Sequence, residues 1–111
     1  GGYIMTKYCL KPTIVIDLFE NEFTMIDWES GLTVSGNKHS YKVFEIMKYP
    51  AGMEEIIESL KKQYRVSQHH RIEKSVPKII NWALERNLLS IEYAEGNETN
   101  GKLDSNYQTM D

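Results

Sequence analysis

The chain has 111 residues, of which 41% are hydrophobic and 26% are charged. This length suits one domain with one modest core. No run approaches the roughly 18 apolar residues of a membrane span, and no basic stretch followed by an apolar run marks a secretory signal. Cys9 is the only cysteine, which excludes an internal disulfide and a cysteine-based zinc site. We therefore expect a cytoplasmic protein.

The net charge of −3 is distributed unevenly along the chain. From residue 91 onward there are five acidic residues against one lysine, a local charge of −4, which leaves +1 for the rest of the chain. A nearly neutral body is not typical of a surface that binds the phosphates of nucleic acids.

Apolar alternation with a period of two predicts three short strands. Residues 3–12, before them, form either a leading strand or an ordered arm. Residues 13–19 are β-branched and apolar, as expected for a strand packed on a core. A tight turn at Glu20–Asn21 leads into the second strand at 23–27. Gly31 can take a positive φ and form the turn into the third strand at 32–35. The result is a meander whose third strand is left at an exposed sheet edge.

After about residue 40 the apolar period changes to three or four, which predicts three helices. Ser40 is the expected N-cap of the first helix, which ends before Pro50. Gly52 opens the second helix. The third is capped by Ser67 and contains Pro77, which is expected to kink it or divide it in two. The predicted core stripes contain Val43, Phe44, Met47, Ile56, Ile57, Leu60, Tyr64, Ile72, Val76, Ile80, Ala83 and Leu84.

The C-terminal part predicts a helix end, a short strand and a tail. Asn87 tolerates the left-handed conformation that ends many helices. Residues 88–92 are expected to add a closing strand. The following residues are rich in Asn, Gly, Glu and Thr without an apolar period, as in a flexible acidic tail or linker. We therefore divide the chain into an arm at 1–12, a domain at 13–92 and a tail at 93–111.

The sequence contains no pattern that predicts catalysis or metal binding. His69 and His70 are adjacent, so on a helix they point about 100° apart and are poorly placed to share one ion. We interpret them as surface or capping residues. No glycine-rich phosphate loop, nucleophile elbow or zinc spacing occurs. We expect no catalytic residue, no cofactor and no metal.

One face of the third helix combines basic side chains with an apolar border. In one interpretation Trp82 covers the core while the cations keep this face polar. In the other, this face is a groove wall that offers apolar contacts and attracts acidic side chains. At 100° per residue, the face contains Arg71, Ser75, Lys78 and Trp82 within about 40° of one another, flanked by Lys74 and Arg86 and bordered by Ile79.

The order of three strands and three helices resembles the peptide-recognition domain of ribosomal natural-product pathways. The type member of that family is the peptide chaperone D of pyrroloquinoline quinone biosynthesis. The resemblance extends over residues 13–92. It is carried by Asn37 before Val43-Phe44-Glu45-Ile46, by Met53-Glu54-Glu55-Ile56-Ile57 with Leu60 and Tyr64-Arg65-Val66, by Val76, Ile79-Ile80 and Leu84, and by Asn87-Leu88-Leu89, where the family usually has Gly-Leu-Leu.

The resemblance implies an α+β fold, a winged helix-turn-helix with a three-stranded antiparallel β-meander followed by three α-helices. It implies a non-catalytic domain to which the leader segment of a precursor peptide adds as a strand, in a cleft closed by the third helix. A peptide-modifying enzyme, in trans or fused C-terminally, would be the second partner; neither a nucleic acid nor a membrane is expected. The implied peptide-binding residues are Leu32, Thr33, Val34 and Ser35 on the strand and Arg71, Lys74, Ser75, Lys78, Ile79, Trp82 and Arg86 on the helix.

Two alternatives remain open at the level of sequence. In a DNA-binding winged-helix transcriptional regulator, the third helix would enter a major groove with Arg71, Lys74 and Lys78. The nearly neutral body, the acidic tail and the lack of a strongly basic wing at 25–32 oppose that function. In a docking module of a larger enzyme, residues 94–111 would form the linker.

Overall fold

A computed structural model of the chain describes residues 2–97. The predicted tail from residue 98 onward therefore lies outside the described residues. The elements, in chain order, are β1 (Gly2–Leu10), β2 (Ile14–Phe19), β3 (Glu22–Asp27), β4 (Thr33–Asn37), α1 (Lys38–Ile46), α2 (Met53–Lys61), α3 (His69–Glu85) and β5 (Leu89–Asn97), with a 3₁₀ turn at Val66–Gln68 before α3.

The strands β2, β3 and β4 form an antiparallel sheet in that order, followed by the helices. This confirms the predicted meander and the α+β class. Gly31, with φ of 80°, forms the turn before β4 as predicted. Glu20 also has a positive φ, 58°, which the sequence did not indicate because its side chain is not one that usually adopts this conformation. The strand β4 lies at an edge of this sheet, directly before α1.

One face of the sheet packs on the helices and forms the core. Phe23 and Met25 of β3 are buried, and the Phe23 ring lies 5.6 Å from that of Phe44 in α1. Tyr64 and Leu84, from the predicted stripes, are partly buried against this core. The other stripe residues are buried as predicted: Val43, Phe44, Met47, Ile56, Ile57, Leu60, Ile72, Val76, Ile80 and Ala83.

The strands β1 and β5 form a second, two-stranded antiparallel sheet. Residues 2–10 pair along their whole length with 89–97, so the first segment is a leading strand, one of the two interpretations of the sequence. The closing strand is longer than predicted and includes residues assigned to the tail. Leu10 and Leu89 are buried opposite each other, which attaches this sheet to the core. The bounds of both segments are thereby corrected, whereas the division into domains stays a prediction.

Two of the predicted helix starts are wrong. The side chain of Asn37, not that of Ser40, caps α1, and its Oδ1 accepts a hydrogen bond from the Ser40 N–H at 2.9 Å. The strand β4 leads into α1 without a loop, so the capping residue comes earlier than the apolar period suggests. Ser67 lies in the 3₁₀ turn, and α3 begins at His69 without a side-chain cap.

The start of α2 and the end of α3 are as predicted. Gly52 precedes α2, and its N–H donates to Glu55 Oε1 at 2.8 Å, which satisfies a free donor at the helix start. Asn87 has a φ of 59° directly after α3, the left-handed conformation expected of it.

Pro77 does not divide α3, which is continuous over 17 residues. Of the two expected effects, a kink or a division into two helices, the division is therefore wrong. Ile72 and Val76 before the proline and Ile80 and Ala83 after it are all buried. Together these side chains stabilise one continuous helix by more than the roughly 3 kcal/mol that a proline in a helix interior costs.

Candidate functional site

The backbone of β4 is paired on one side only within the described sheet. The Asp27 N–H donates to the Leu32 carbonyl at 2.9 Å, and the Lys38 N–H donates to the Asn21 carbonyl at 2.9 Å. Both bonds join residues that lie directly opposite in the β3–β4 register. Since hydrogen-bonded pairs alternate in an antiparallel ladder, the even-numbered residues from 32 to 38 direct their backbone groups toward β3.

The odd-numbered residues of β4 direct their backbone groups away from β3, toward the open edge. The edge offers the N–H and carbonyl groups of Thr33 and Ser35, followed by the N–H of Asn37. The Thr33 and Ser35 side chains are exposed. An extended peptide can pair with such an edge through its own main chain.

A groove lies between α3 and the junction of β4 with α1. Its first cavity has a volume of about 330 Å³. Phe23 and Phe44, each 1% exposed, line its inner end, and Ile79 and Trp82 line its α3 side. The Trp82 ring lies 6.2 Å from that of Phe44. This lining suits a large apolar side chain. The remaining lining residues are Ser35, Gly36, Asn37, Ser40 and Lys78.

A second cavity of about 380 Å³ continues the groove toward the start of α3. The two cavities are contiguous because Asn37, Ser40, Lys78 and Ile79 line both. The second cavity is more polar than the first. Its other lining residues are His39, Leu60, Tyr64, Gln68, Arg71, Ile72 and Ser75.

The second cavity carries positive charge without a neighbouring carboxylate. Neither Arg71 nor Lys78 forms an ion pair with any described residue, and no Asp or Glu lines the cavity. Lys61, on α2, behaves differently because it contacts both Glu58 and Glu73. Its hydrogen bond and charge lower the pKa of Glu73 and neutralise that part of the surface. Arg71 and Lys78, which form no ion pair with a described residue, therefore give the second cavity a positive charge.

Tyr64 is held at the wall of the second cavity by two neighbours from α1. Its hydroxyl lies 3.0 Å from His39 Nδ1, and Lys42 Nζ lies 4.9 Å from the centre of its ring. These contacts add polar groups to the positive end of the groove. Neither neighbour is close to α3 in sequence, so periodicity on that helix could not indicate them.

Arg86 lies over the other end of the groove wall. Its guanidinium is 4.3 Å from the centre of the Trp82 ring and donates to the Trp82 carbonyl at 3.0 Å. Trp82 therefore contacts Phe44 on the core side, the cavity on the groove side and Arg86 toward solvent. It both covers the core and lines the groove, so the two interpretations of this residue do not exclude each other.

The structure brings part of the predicted site together. Thr33 belongs to the open edge, whereas Leu32 and Val34 direct their backbone groups toward β3, and none of the three lines a cavity. Lys74 is exposed outside both cavities. Arg86 contacts the groove wall through Trp82 only. The predicted residues that line the cavities are Ser35, Arg71, Ser75, Lys78, Ile79 and Trp82. Lining residues that were not predicted for the site include Phe23, Gly36, Asn37, His39, Ser40, Phe44 and Tyr64.

The adjacent histidines have separate surroundings. His69 Nε2 lies 2.9 Å from the Lys61 carbonyl and 3.3 Å from the Tyr64 carbonyl, so it caps the end of α2. His70 is exposed near Glu73. Within residues 2–97, no group of three or more His, Cys, Asp or Glu side chains is arranged to hold a metal ion. Nor does any helix in this range have the length and apolarity needed to cross a membrane.

Comparisons with known proteins give a structural likeness without a sequence match. No protein-family model and no curated protein matches the chain. The fold is similar to that of TbiB1, solved in complex with the TbiA(beta) leader peptide, with a TM-score of 0.62 and 13% sequence identity. The similarity covers 74% of this chain and 94% of the TbiB1 chain. At this identity, the likeness concerns the fold.

Proposed function

We propose that this chain is a non-catalytic recognition domain for the leader segment of a ribosomally made precursor peptide. The leader adds as a strand to β4 beside α3, in a winged helix-turn-helix domain of the pyrroloquinoline quinone chaperone type. The domain then presents the peptide to a modifying enzyme, in trans or fused C-terminally, in the cytoplasm. The observation that carries the proposal is the open backbone edge of β4 along a groove with an apolar cavity.

The open edge of β4 and the groove beside α3 contribute differently to peptide binding in this proposal. Backbone hydrogen bonds to Thr33 and Ser35 supply affinity for any extended segment. Alternate side chains of that segment point toward α3, where the cavity lined by Phe44, Ile79 and Trp82 selects an apolar anchor. Several such contacts together allow specific binding of a peptide that has no fold of its own.

The likeness to TbiB1 supports this function at the level of the fold. That protein was solved with a leader peptide, and nearly its whole chain is covered by the similarity. A fold serves many functions, however, so the peptide-binding role rests on the edge and groove of this chain.

The same geometry makes the DNA-binding alternative less favourable. A recognition helix presents its cations outward to the major groove. In this chain Arg71 and Lys78 line a cavity closed on its other side by α1 and Tyr64. Among the three cations considered for DNA binding, Lys74 alone lies outside the cavities.

A proline at position 35 tests strand addition directly. The Ser35 N–H points to the open edge, so Ser35→Pro removes no hydrogen bond of the sheet, and proline is tolerated in edge strands at such positions. The substitution is expected to weaken binding of the leader peptide encoded beside this gene by at least about tenfold. Isothermal titration calorimetry measures the affinity, and Ser35→Ala, which keeps the N–H, is the matched control. Equal affinities for both variants would contradict strand addition.

A backbone amide NMR titration locates the site and tests the alternative. With the leader peptide, we expect the largest shifts at residues 32–44, at Tyr64 and at residues 71–86, which border the open edge and the groove. Duplex DNA serves as the competing ligand in a parallel titration. If the peptide caused no chemical-shift changes while DNA caused salt-sensitive changes along α3, the proposed function would be wrong and DNA binding would be favoured.

A further inference from the structure

We infer that the groove selects peptides with two anchors, an apolar side chain in the first cavity and a carboxylate in the second, at an even spacing along the strand. This inference rests on the proposed function and deepens it, because it defines the class of precursor peptide that the domain accepts. The carboxylate lies between Arg71 and Lys78, within reach of the Tyr64 hydroxyl.

The charges of the second cavity favour an anion. Arg71 and Lys78 form no ion pair with a described residue, and no acidic side chain lines the cavity. A carboxylate that enters meets two cations and no like charge. The Ser75 and Tyr64 hydroxyls already have partners, the Ile72 carbonyl at 3.5 Å and His39 Nδ1 at 3.0 Å, so the two cations supply the hydrogen bonds to the carboxylate. Charge-assisted hydrogen bonds of this kind are about twice as strong as neutral ones.

The first cavity favours an apolar group instead. Phe23, Phe44, Ile79 and Trp82 supply most of its surface, and its single charge, Lys78, lies where the two cavities meet. A carboxylate placed there would lose its hydration against aromatic rings. The two anchors are therefore not interchangeable.

Helix and strand geometry sets the spacing between the anchors. Lys78 and Trp82 are one turn apart on α3, about 6 Å along the axis, which matches about two residues of a peptide strand that runs along α3. Arg71 lies about 16 Å from Trp82 along the helix axis. A peptide residue four positions from the apolar anchor lies about 13 Å from that anchor along the strand, and the long Arg71 side chain can span the difference. Successive side chains of a strand point to opposite faces, so only even spacings direct both anchors toward α3.

A set of fluorescent synthetic peptides tests the spacing. Each is a short serine and threonine chain with one tyrosine and one glutamate placed two, three or four positions away, on either side. Fluorescence anisotropy is expected to show about tenfold tighter binding for a glutamate at two or four positions than for glutamine there. At three positions glutamate and glutamine peptides are expected to bind equally. Equal binding of glutamate and glutamine peptides at every spacing would overturn the inference.

Paired charge reversals on α3 test where the carboxylate binds. Arg71→Glu is expected to abolish the preference for glutamate and to favour a peptide with lysine at that position. Lys74→Glu changes the net charge by the same amount on the same helix but outside the cavities, so it is expected to keep the preference for glutamate. If both variants lost the preference for glutamate equally, the preference would arise from the overall charge of the protein, and the proposed carboxylate site would be wrong.

The two proposals fail in different ways. If the natural leader binds and Ser35→Pro blocks it, but no synthetic peptide binds, then the two-anchor rule is wrong and the proposed function stands. If neither the natural leader nor any synthetic peptide binds, the proposed function fails as well.

Discussion

Gly36 lies where the backbone of β4 passes over the ring of Phe23. A Cβ on Gly36 would lie 2.6 Å from Phe23 Cε2, a distance at which something must shift. The Phe23 ring cannot move freely because it is buried against Phe44. Since both Gly36 and Phe23 line the first cavity, the absence of a side chain at position 36 determines the shape of the apolar pocket.

Gly36→Ala is therefore expected to destabilise the fold and to narrow the pocket. Overpacking of this kind costs about 1–3 kcal/mol. Urea unfolding measures the free energy, and Ser35→Ala, one position earlier with an exposed side chain, is the control, with an expected change within about 0.5 kcal/mol. An unchanged midpoint for Gly36→Ala would mean that the Phe23 ring can relax.

At the scale of residues, the sequence predicts the helix side of the groove better than the opposite side. Arg71, Lys78 and Trp82 recur at a spacing that places them on one face of α3, and the structure has them along one groove. His39 belongs to α1 and Tyr64 to the segment between α2 and the 3₁₀ turn, and no local pattern relates them to α3. Their positions follow from how the helices pack, which one sequence does not determine.

Among the elements, α1 is joined to β4 through one residue with two roles. Asn37 ends the strand and caps the helix with its side chain. It also lines both cavities, so the start of α1 and the floor of the groove share a residue. A change at this position is therefore expected to affect both the stability of the fold and the shape of the groove.

Asn37→Ala is expected to cost about 1 kcal/mol of stability, the usual cost of losing an N-cap. Ser40→Ala is the matched control, because Ser40 contributes its backbone N–H to the cap and not its side chain. Thermal unfolding followed by circular dichroism compares the two variants. A larger loss of thermal stability in Ser40→Ala than in Asn37→Ala would indicate that Ser40 is the N-cap, as the sequence pattern predicts.

At the scale of elements, sequence patterns predict the type of each segment but not how neighbouring segments constrain it. Periodicity predicts α3, while Pro77 suggests a break that the structure does not contain. The break is overridden because Val76 and Ile80, on either side, are buried in the same core. The apolar period also predicts that α1 starts at Ser40, whereas the helix starts at Lys38. The strand β4 runs directly into α1, so no loop residues mark the boundary in the sequence.

For the molecule as a whole, two carboxylates favour the folded state near neutral pH. The Gly52 N–H and then Lys7 lower the pKa of Glu55 from its ordinary value of 4.5. Lys61 does the same for Glu73. A carboxyl whose pKa is lower in the folded state stabilises the fold fully above its ordinary pKa and loses this effect as the pH falls through the folded-state pKa.

Stability is therefore expected to decrease as the pH falls below the ordinary glutamate pKa of 4.5 and through the lower folded-state pKa values. The free energy of unfolding, measured by urea titration at a series of pH values, is expected to depend less steeply on pH in Glu55→Gln. Glu54→Gln is the control, because Glu54 lies in the same turn and forms no side-chain hydrogen bond with a described residue. If the free energy of unfolding depended on pH identically in both variants, Glu55 would not contribute to the pH dependence of stability.

The sheet of β1 and β5 joins the two ends of the described chain. The two strands are separated in sequence by nearly the whole domain, so the local residue pattern of β1 could not indicate that it pairs with β5. Leu10 is 7% exposed, and its N–H donates to the Met47 carbonyl at 2.7 Å. Tyr8 forms a backbone bridge with Ala51, before α2. By these contacts β1 stabilises the helices that form the groove.

A chain that begins at residue 13 retains the predicted domain but loses β1, and it is expected to be several kcal/mol less stable, a large share of the 5–15 kcal/mol of a typical domain. Leu10→Ala isolates the buried part and is expected to cost about 2–5 kcal/mol. Ile4→Ala, on the same strand but 67% exposed, is the control and is expected to change stability little. Urea unfolding compares all three. If the truncated chain were as stable as the full chain, residues 1–12 would act as an arm, the other of the two interpretations of the sequence, and β1 would not stabilise the domain.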